Sequence, residues 1–422
     1  MGHGLDPIGY QGASVNYSWF RPTSRVISVR GLRSFTQAYL NIITPLYLLS
    51  RGVSSAGLGL LYTLSFLIGA FMAIPIGVFA DRIGRKPFLI AFTVLMFIWG
   101  IVYSRSTDLA LLISISAISG IGRGGGDMSA GAPGPFGPAE LALLADLSSD
   151  SKRTRTFSMN TIVSSLMAAI GAFAAALPGV IGHSGIPFFS SNSGLFNLAA
   201  VFAVISLIII LSLPEPPRKP RIKGRRAPLT KQSTALMAKQ SLAGAFNSIG
   251  MGFVNSLFVI WLHLRFGVGQ TSIGPVYTVS YLLSAAMVWG ASVFAKRFGS
   301  VRTVVISRLM AASLMVAIAL SPTFYIAIVF QIIRIGVTMM ATPIRQAFTL
   351  SMFPPEERGS AAGLSGVIRR LAGTTSPPVA GLMFEAGDLQ TPFMIGAVFQ
   401  VLGGFIYHIF FKDMERSATV AE

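Results

Sequence analysis

The chain is a succession of apolar runs of about 20 residues, separated by short basic segments, and that alternation leaves few folds open. A helix rising 1.5 Å per residue needs roughly 20 residues to cross the ~30 Å hydrocarbon core of a bilayer. Inside that core each backbone N–H and C=O must be satisfied within the segment, so single runs of this length become helices. Windows of about 19 residues place spans near 33–50, 56–80, 87–104, 109–147 (interrupted), 157–182, 194–213, 236–264, 271–295, 302–320, 323–352, 360–384 and 391–411. Only 11% of the 422 residues are charged and 52% are hydrophobic, whereas a soluble domain carries roughly 25% charged residues. The expectation is an all-α membrane protein of twelve transmembrane helices, with the lipid bilayer as its first partner.

The formal net charge is +18, from 33 Lys and Arg against 15 Asp and Glu. Nucleic acid is not the expected partner, because the basic residues fall between the apolar runs, as the positive-inside rule requires. Alternating the connecting segments puts Arg21, Arg25, Arg30, Arg33, Arg82, Arg85, Lys86, Lys152, Arg153, Arg155, the 218–239 run, Lys296, Arg297, Arg302, Arg358, Lys412 and Arg416 on one side, and Arg51, Arg105 and Arg265 on the other. A multi-pass cytoplasmic-membrane protein with both termini in the cytoplasm is expected. The first 28 residues lack an apolar core, so they do not read as a cleaved signal peptide. The chain has no Cys, four scattered His (His3, His183, His263, His408) and no nucleotide-binding loop G-x-x-x-x-G-K-[ST]. Thiol chemistry, a metal centre and ATP hydrolysis therefore have no support, and neither an enzyme nor a cofactor is expected.

The chain repeats itself. Residues 52–84 laid on 267–299, an offset of 215, match at 14 of 33 positions without a gap, with GLLYTLSFL against GPVYTVSYL. Past the fourth span the offset falls to 205, so about ten extra residues lie in or near GRGGGDMSAGAPGPFG (122–137). The segment from Pro214 to Gln232 is Pro-rich and basic and reads as a linker. The expected organisation is an N-terminal segment (1–28), a first six-helix bundle (29–213), a cytoplasmic linker (214–233), a second bundle (234–411) and a tail (412–422).

Between the second and third spans stands GVFADRIGRKP (77–87). It resembles the loop signature of the major facilitator superfamily, G-x-x-x-D-R-x-G-R-[RK]. GPFGPAELALLAD (134–146) and ATPIRQAFTLSMFPPEERGSAAGL (341–364) are similar to that superfamily's proton-driven drug-efflux branch. The resemblance implies two six-helix bundles related by a pseudo-two-fold axis, alternating access, and a central cavity lined mainly by spans 1, 4, 7 and 10. It also implies a cytoplasmic latch built from Gly77, Asp81, Arg82, Gly84, Arg85 and Asp146. Asp81 would sit at the N-terminus of span 11, where unpaired N–H groups favour an anion, and Arg85 would reach Asp146. The alternative is a solvated charged turn that only sets topology. In the second half Lys296 replaces Asp81, so any latch is one-sided.

Charges inside the spans are the sharper clue, because each costs at least ~2.5–3.5 kcal/mol at the bilayer centre when unpaired. Asp127 and Glu140 face Arg123, Arg308, Arg334, Arg345, Arg369 and Arg370. Glu140 and Arg345 are equivalent in the repeat, so a pair across the cavity is expected when the cytoplasmic side is closed, one that a proton would break, with Asp127 as a further coupling candidate; a static salt bridge is the alternative. Arg308 is expected to snorkel toward the headgroups. Substrate-cavity candidates are Arg123, Arg334, Arg369, Arg370, Gln37, Asn41, Asn247, Asn255 and His263, against interhelical hydrogen bonding or, for Arg123 and Asp127, a bulge into the outer loop. Tyr39, Tyr62, Tyr277 and Trp261 read as either an aromatic cavity wall or interfacial anchors.

These features converge on a secondary transporter, acting as a monomer, that exports a small organic substrate by alternating access in exchange for protons. The competing readings are an organic-anion carrier using the internal arginines and a non-transporting receptor or scaffold on the same fold.

Overall fold

The computed structural model describes residues 22–121, 136–148, 153–181, 191–214, 230–354 and 357–419, and among these every regular element is an α-helix. The first half contains α1 (Pro22–Ser50), α2 (Ser55–Ile83), α3 (Lys86–Arg105), α4 (Leu109–Ser119), α5 (Phe136–Asp146), α6 (Arg153–Ala174), α7 (Leu177–Ile181) and α8 (Asn192–Leu211). The second contains α9 (Lys231–Asn255), α10 (Phe258–Phe266), α11 (Gln270–Phe298), α12 (Ser300–Ala319), α13 (Phe324–Ser351), α14 (Arg358–Gly373), α15 (Ser376–Glu385) and α16 (Thr391–Thr419). The pairs α4/α5, α6/α7, α9/α10 and α14/α15 each share one span, which gives two sets of six spans.

Eight of these spans are long and apolar enough to cross a bilayer on that ground alone. Of the remaining four spans (α1, α4/α5, α11 and α14/α15), α1 carries Arg25, Arg30 and Arg33, and α4/α5 and α14/α15 are interrupted. α1 starts at Pro22, well before the apolar window near 33, because Arg25, Arg30 and Arg33 depress hydropathy while Val26, Val29, Arg30 and Arg33 are in fact buried. α16 runs past 411 to Thr419. The break in span 11 follows from Pro377 and Pro378, which lack an N–H and so sit in the first turn of a new helix, α15. In span 4 Gly120 caps α4 with φ 64°, ahead of the 122–135 segment, which lies outside the described residues.

The internal repeat is visible in three dimensions. α2 and α11 are both 29 residues long and begin and end at the 215 offset. Gly84 (φ 105°) and Gly299 (φ 81°), equivalent at that offset, turn the chain after these two helices in a conformation that only glycine adopts without strain. Neighbour relations repeat as well: α1 packs on α6 as α9 does on α14, and α3 packs on α8 as α12 does on α16.

The two halves meet along two seams that the same pseudo-symmetry relates: α2 against α15, and α6 against α11. Gly59 of α2 abuts the Pro377 carbonyl, and its equivalent Gly274 of α11 abuts the Ala172 carbonyl. One turn on, the Thr63 hydroxyl donates to Thr374 O (2.8 Å), and its equivalent Thr278 donates to Ala169 O (3.0 Å). Small residues and crossing hydroxyls are the usual glue between membrane helices, where water supplies no hydrophobic drive.

All four contacts lie toward the end of the molecule opposite the chain termini, here the far end. One hydrophobic core runs across both halves there, joining Tyr39, Ile42 and Tyr62 to Val254, Phe258, Trp261 and Tyr277. At the terminal end the core is split. One cluster around Val29, Phe92 and Leu144 belongs to the first half, and another around Val304, Ile344 and Phe411 belongs to the second. The protein is thus closed at the far end, with the halves parted at the terminal end.

Candidate functional site

The parted terminal end exposes faces of both halves, and each face carries buried charge. In the first half Glu140, 1% exposed, sits in the first turn and a half of α5 and forms ion pairs with Arg33 and with Arg30 (3.6 Å) of α1. The two arginines lie three residues apart, so they share one helix face. Arg30 Nε also donates to Ser164 Oγ of α6 (3.1 Å), and Ser164 shares a hydrogen bond with Ser34 (2.7 Å). The cluster therefore stitches α1, α5 and α6 together. Beside it lies a cavity of about 20 Å³ lined by Arg33 and Glu140 and by the apolar side chains of Val26, Leu89, Met96 and Ile210. That is room for about one water molecule and not for an organic cargo.

In this conformer, parted at the terminal end, Glu140 pairs with Arg33 and Arg30 and not with Arg345; the Glu140–Arg345 pair is an expectation for the conformer closed at that end. Equal depth in the repeat says nothing about distance across the molecule: α1 packs beside α5 within one bundle, whereas α13 belongs to the other half, which stands apart at this end. Arg30 and Arg33 were read from sequence only as flanking topogenic charges. Their three-residue spacing just ahead of the apolar window was the signal that could have placed them inside the span.

In the second half Arg334 of α13 is 1% exposed. Its Nη2 donates to Asn255 Oδ1 (2.6 Å) and its Nε to Gln331 Oε1 (2.9 Å). Asn255 is the last residue of α9, just before the break at Ser256 and Leu257, so Arg334 braces a broken helix. Arg308 does not snorkel outward. It is buried and turned inward, donating to Gly403 O (2.7 Å) and Ala243 O (3.4 Å) with its guanidinium over the Tyr407 ring (4.9 Å). The physical reason is that two carbonyls and an aromatic face are available inside the bundle. Arg345 and Arg369 are half-buried and Arg370 is exposed. The arginines thus divide into Arg334, mid-span, and a group nearer the terminal end.

Gln37, Asn41 and Asn247 are half-buried and make no hydrogen bond among the described residues. His263 Nδ1 donates to Val268 O (3.0 Å), which ties the end of α10 to the turn that follows it. Tyr39 donates to Leu195 O (3.0 Å) and Trp261 Nε1 to Leu389 O (2.8 Å). With Tyr62 and Tyr277 they are sealed within the far-end core and form neither a cavity wall nor an interfacial belt.

Arg85 and Asp146 form an ion pair at the terminal end. Lys86 beside them donates to Leu211 O (2.7 Å) and Leu213 O (2.8 Å), closing the end of α8. Gly77, Asp81 and Arg82 fall on α2 with only their backbone described, and Arg123 and Asp127 lie outside the described residues. The seam residues Gly59, Thr63, Gly274 and Thr278 were not singled out from sequence, although their recurrence in the aligned repeat was a usable signal.

The Major Facilitator Superfamily family model matches residues 26–373 and, in a second match, 240–421. The chain is 25% identical over 377 residues to multidrug resistance protein 1 of Bacillus subtilis, covering 86% of this chain and 89% of that protein. It is 22% identical over 354 residues to the quinolone resistance protein NorA of Staphylococcus aureus, covering 81% and 84%. Among solved structures it resembles the inward-open xylose transporter XylE from E. coli, with a TM-score of 0.70 at 14% identity over 91% of this chain and 95% of that one. Both halves match the family model, the signature between the second and third spans is intact, and the fold repeats about a pseudo-dyad. The chain belongs to the major facilitator superfamily, whose members are multi-pass membrane transporters of small molecules and not enzymes.

Proposed function

We propose that this transporter exports a small organic molecule from the cytoplasm in exchange for protons, with Glu140 as the proton-carrying group. The observation that carries the reading is the buried Glu140 carboxylate, clamped by Arg33 and Arg30 next to a water-sized cavity. Ionised, Glu140 holds α5 to α1 by charge-assisted contacts in a low-dielectric interior. Protonated, it withdraws its negative charge from the two guanidiniums, which weakens the hold of α5 on α1. A proton reaching Glu140 therefore biases the bundle away from this conformer, which is what coupling requires.

The basic segments sit at the terminal end, so that end is taken as cytoplasmic and the conformer as open to the cytoplasm. In the opposite conformer the latch would close: Asp81 would meet the N-terminus of α14 while Arg85 and Asp146 remain paired. The relatives that resist several drugs or quinolones support a cargo that is organic and at least partly aromatic. The two bundles, residues 29–213 and 234–411, rock as units within a monomer.

The test is transport of a fluorescent quinolone by the purified protein in proteoliposomes, with and without a pH gradient. Wild type is expected to accumulate the dye only with the gradient. Glu140→Gln is expected to equilibrate it at a rate that ignores the gradient. A Glu140→Gln protein that still responds fully to the gradient refutes the assignment and leaves the cluster as a structural brace.

A further inference from the structure

The second half has cations in its interior and, among the described residues, no acid paired with Arg308, Arg334, Arg345 or Arg369. From Lys231 to Pro354, and again from Arg358 to Phe384, the sequence contains neither Asp nor Glu. Yet three arginines from three helices converge on one turn of α9, the stretch from Gln240 to Gly244. Arg308 of α12 reaches the Ala243 carbonyl (3.4 Å). The stem of Arg369, on α14, lies so close to Gly244 that a Cβ at that glycine would stand 2.7 Å from Arg369 Cγ. Gln240 Nε2 donates to Thr349 Oγ1 (2.8 Å), which ties the same turn of α9 to α13 one helical turn beyond Arg345. Arg308 is near enough to Arg345 and Arg369 for their charges to interact, as Arg369 is to Arg345.

The three are not equivalent. The Arg308 guanidinium is spent on backbone carbonyls and the Tyr407 ring. The Arg345 and Arg369 guanidiniums make no hydrogen bond or ion pair among the described residues, and both side chains are only half-buried. Next to them, Ser241 Oγ and Gln240 Oε1 are buried without a hydrogen-bond partner. Ser241 lies three residues before Gly244, on the face of α9 against which α14 runs. Like charges gathered in a low-dielectric interior persist when a counter-charge joins them, and among the described residues no carboxylate forms an ion pair with Arg308, Arg345 or Arg369.

We propose that Arg345 and Arg369, backed by the fixed charge of Arg308 and with Ser241 Oγ as a further donor, form a binding site for an oxyanion, the carboxylate or phosphate group of an organic molecule entering from the terminal end. A planar guanidinium presents two parallel N–H groups to such a group, which gives orientation as well as attraction. The inference deepens the export reading by naming the charge of the cargo, and it rests on that reading only for the step that follows binding. The same oxyanion chemistry could come from an anionic lipid headgroup, so the experiment separates the two sources.

Thermal unfolding of the full-length protein in phosphatidylcholine nanodiscs would be followed with 2-naphthoate, 2-naphthyl phosphate and the uncharged 2-naphthamide. Preferential binding to the folded state raises the midpoint. The expected result is a dose-dependent rise with both anions and none with the amide. Arg345→Gln and Arg369→Gln should each weaken the response roughly tenfold or more, as loss of a charge-assisted bond does, with Arg345→Lys and Arg369→Lys in between and Arg265→Gln, exposed at the far end, like wild type. Nanodiscs containing phosphatidylglycerol form the second arm. If that lipid raises the midpoint and abolishes the naphthoate response, the oxyanion is a headgroup; if the naphthoate response survives, it is the cargo's.

Equal stabilisation by the amide, or Gln variants that respond as wild type, overturns the proposal. Should those variants not fold, the comparison of naphthoate with naphthamide on wild type decides alone. The gradient response of Glu140→Gln is read in a separate assay on the other half, so failure of the anion site and failure of proton coupling remain distinguishable.

Discussion

Replacing Gly274 by alanine puts a methyl group 2.7 Å from the Ala172 carbonyl oxygen, 3.3 Å from Ala176 N and 3.4 Å from Ala176 Cβ. These neighbours are helix backbone, not the tips of flexible side chains, so α11 and α6 must move apart. Overpacking of this kind costs ~1–3 kcal/mol, and it applies only while the far-end seam is closed. The helix itself gains ~1 kcal/mol from alanine in every conformer. The closed-to-open ratio should therefore fall by roughly 5- to 150-fold, while resistance to unfolding is retained or raised. From a far-end-open population of ~1%, the variant would reach between about 5% and 60%. The assay is a spin-label distance measurement between Thr107→Cys and Thr323→Cys, exposed positions in far-end loops of opposite halves. The native chain has no Cys, so both labels are unique. A new long-distance component in Gly274→Ala is the expected result. A distance distribution identical to that of Gly274, in protein that still unfolds cooperatively, refutes the assignment of this seam as the closed gate.

Thr278→Val and Thr63→Val each delete one hydrogen bond across a seam, worth ~0.5–1.5 kcal/mol, and should lengthen the same distance with a smaller, few-fold shift that nearly adds in the double variant. Glu140→Gln removes the negative charge that faces Arg30 and Arg33 in the first half. Removing one partner of a buried pair costs ~3–5 kcal/mol, so its thermal midpoint should drop clearly, and Glu140→Asp should recover part of the loss. Gly84→Ala and Gly299→Ala force a left-handed conformation on alanine at ~1–2 kcal/mol each. Gly363→Ala, with open space around it in α14, should be neutral or stabilising in the same unfolding measurement.

The helical membrane class, the two-fold repeat and the superfamily were legible from length, periodicity and one loop signature, because apolar runs of bilayer length have a single backbone solution and a repeat in register implies a repeated fold. The seam was half-legible: Gly59, Thr63, Gly274 and Thr278 stand in the aligned repeat, but nothing linear says that they face the other half. The partners Glu140 has in this conformer, Arg30 and Arg33, were not foreseen because a repeat encodes equivalence of position and not proximity. The same limit sent Arg308 outward in the reading from sequence, when two carbonyls and a tyrosine ring awaited it within the bundle.

By itself, then, the order of residues determined how many times the chain crosses the bilayer, which halves correspond and which charges had to be sheltered from lipid. Only the packing of helices decided which charges meet, which guanidiniums are left open and at which end the halves are locked together. The reason is physical. Burial in hydrocarbon is a property each segment has alone, whereas pairing depends on distances between segments far apart in the chain, and those distances exist only once the bundles have assembled.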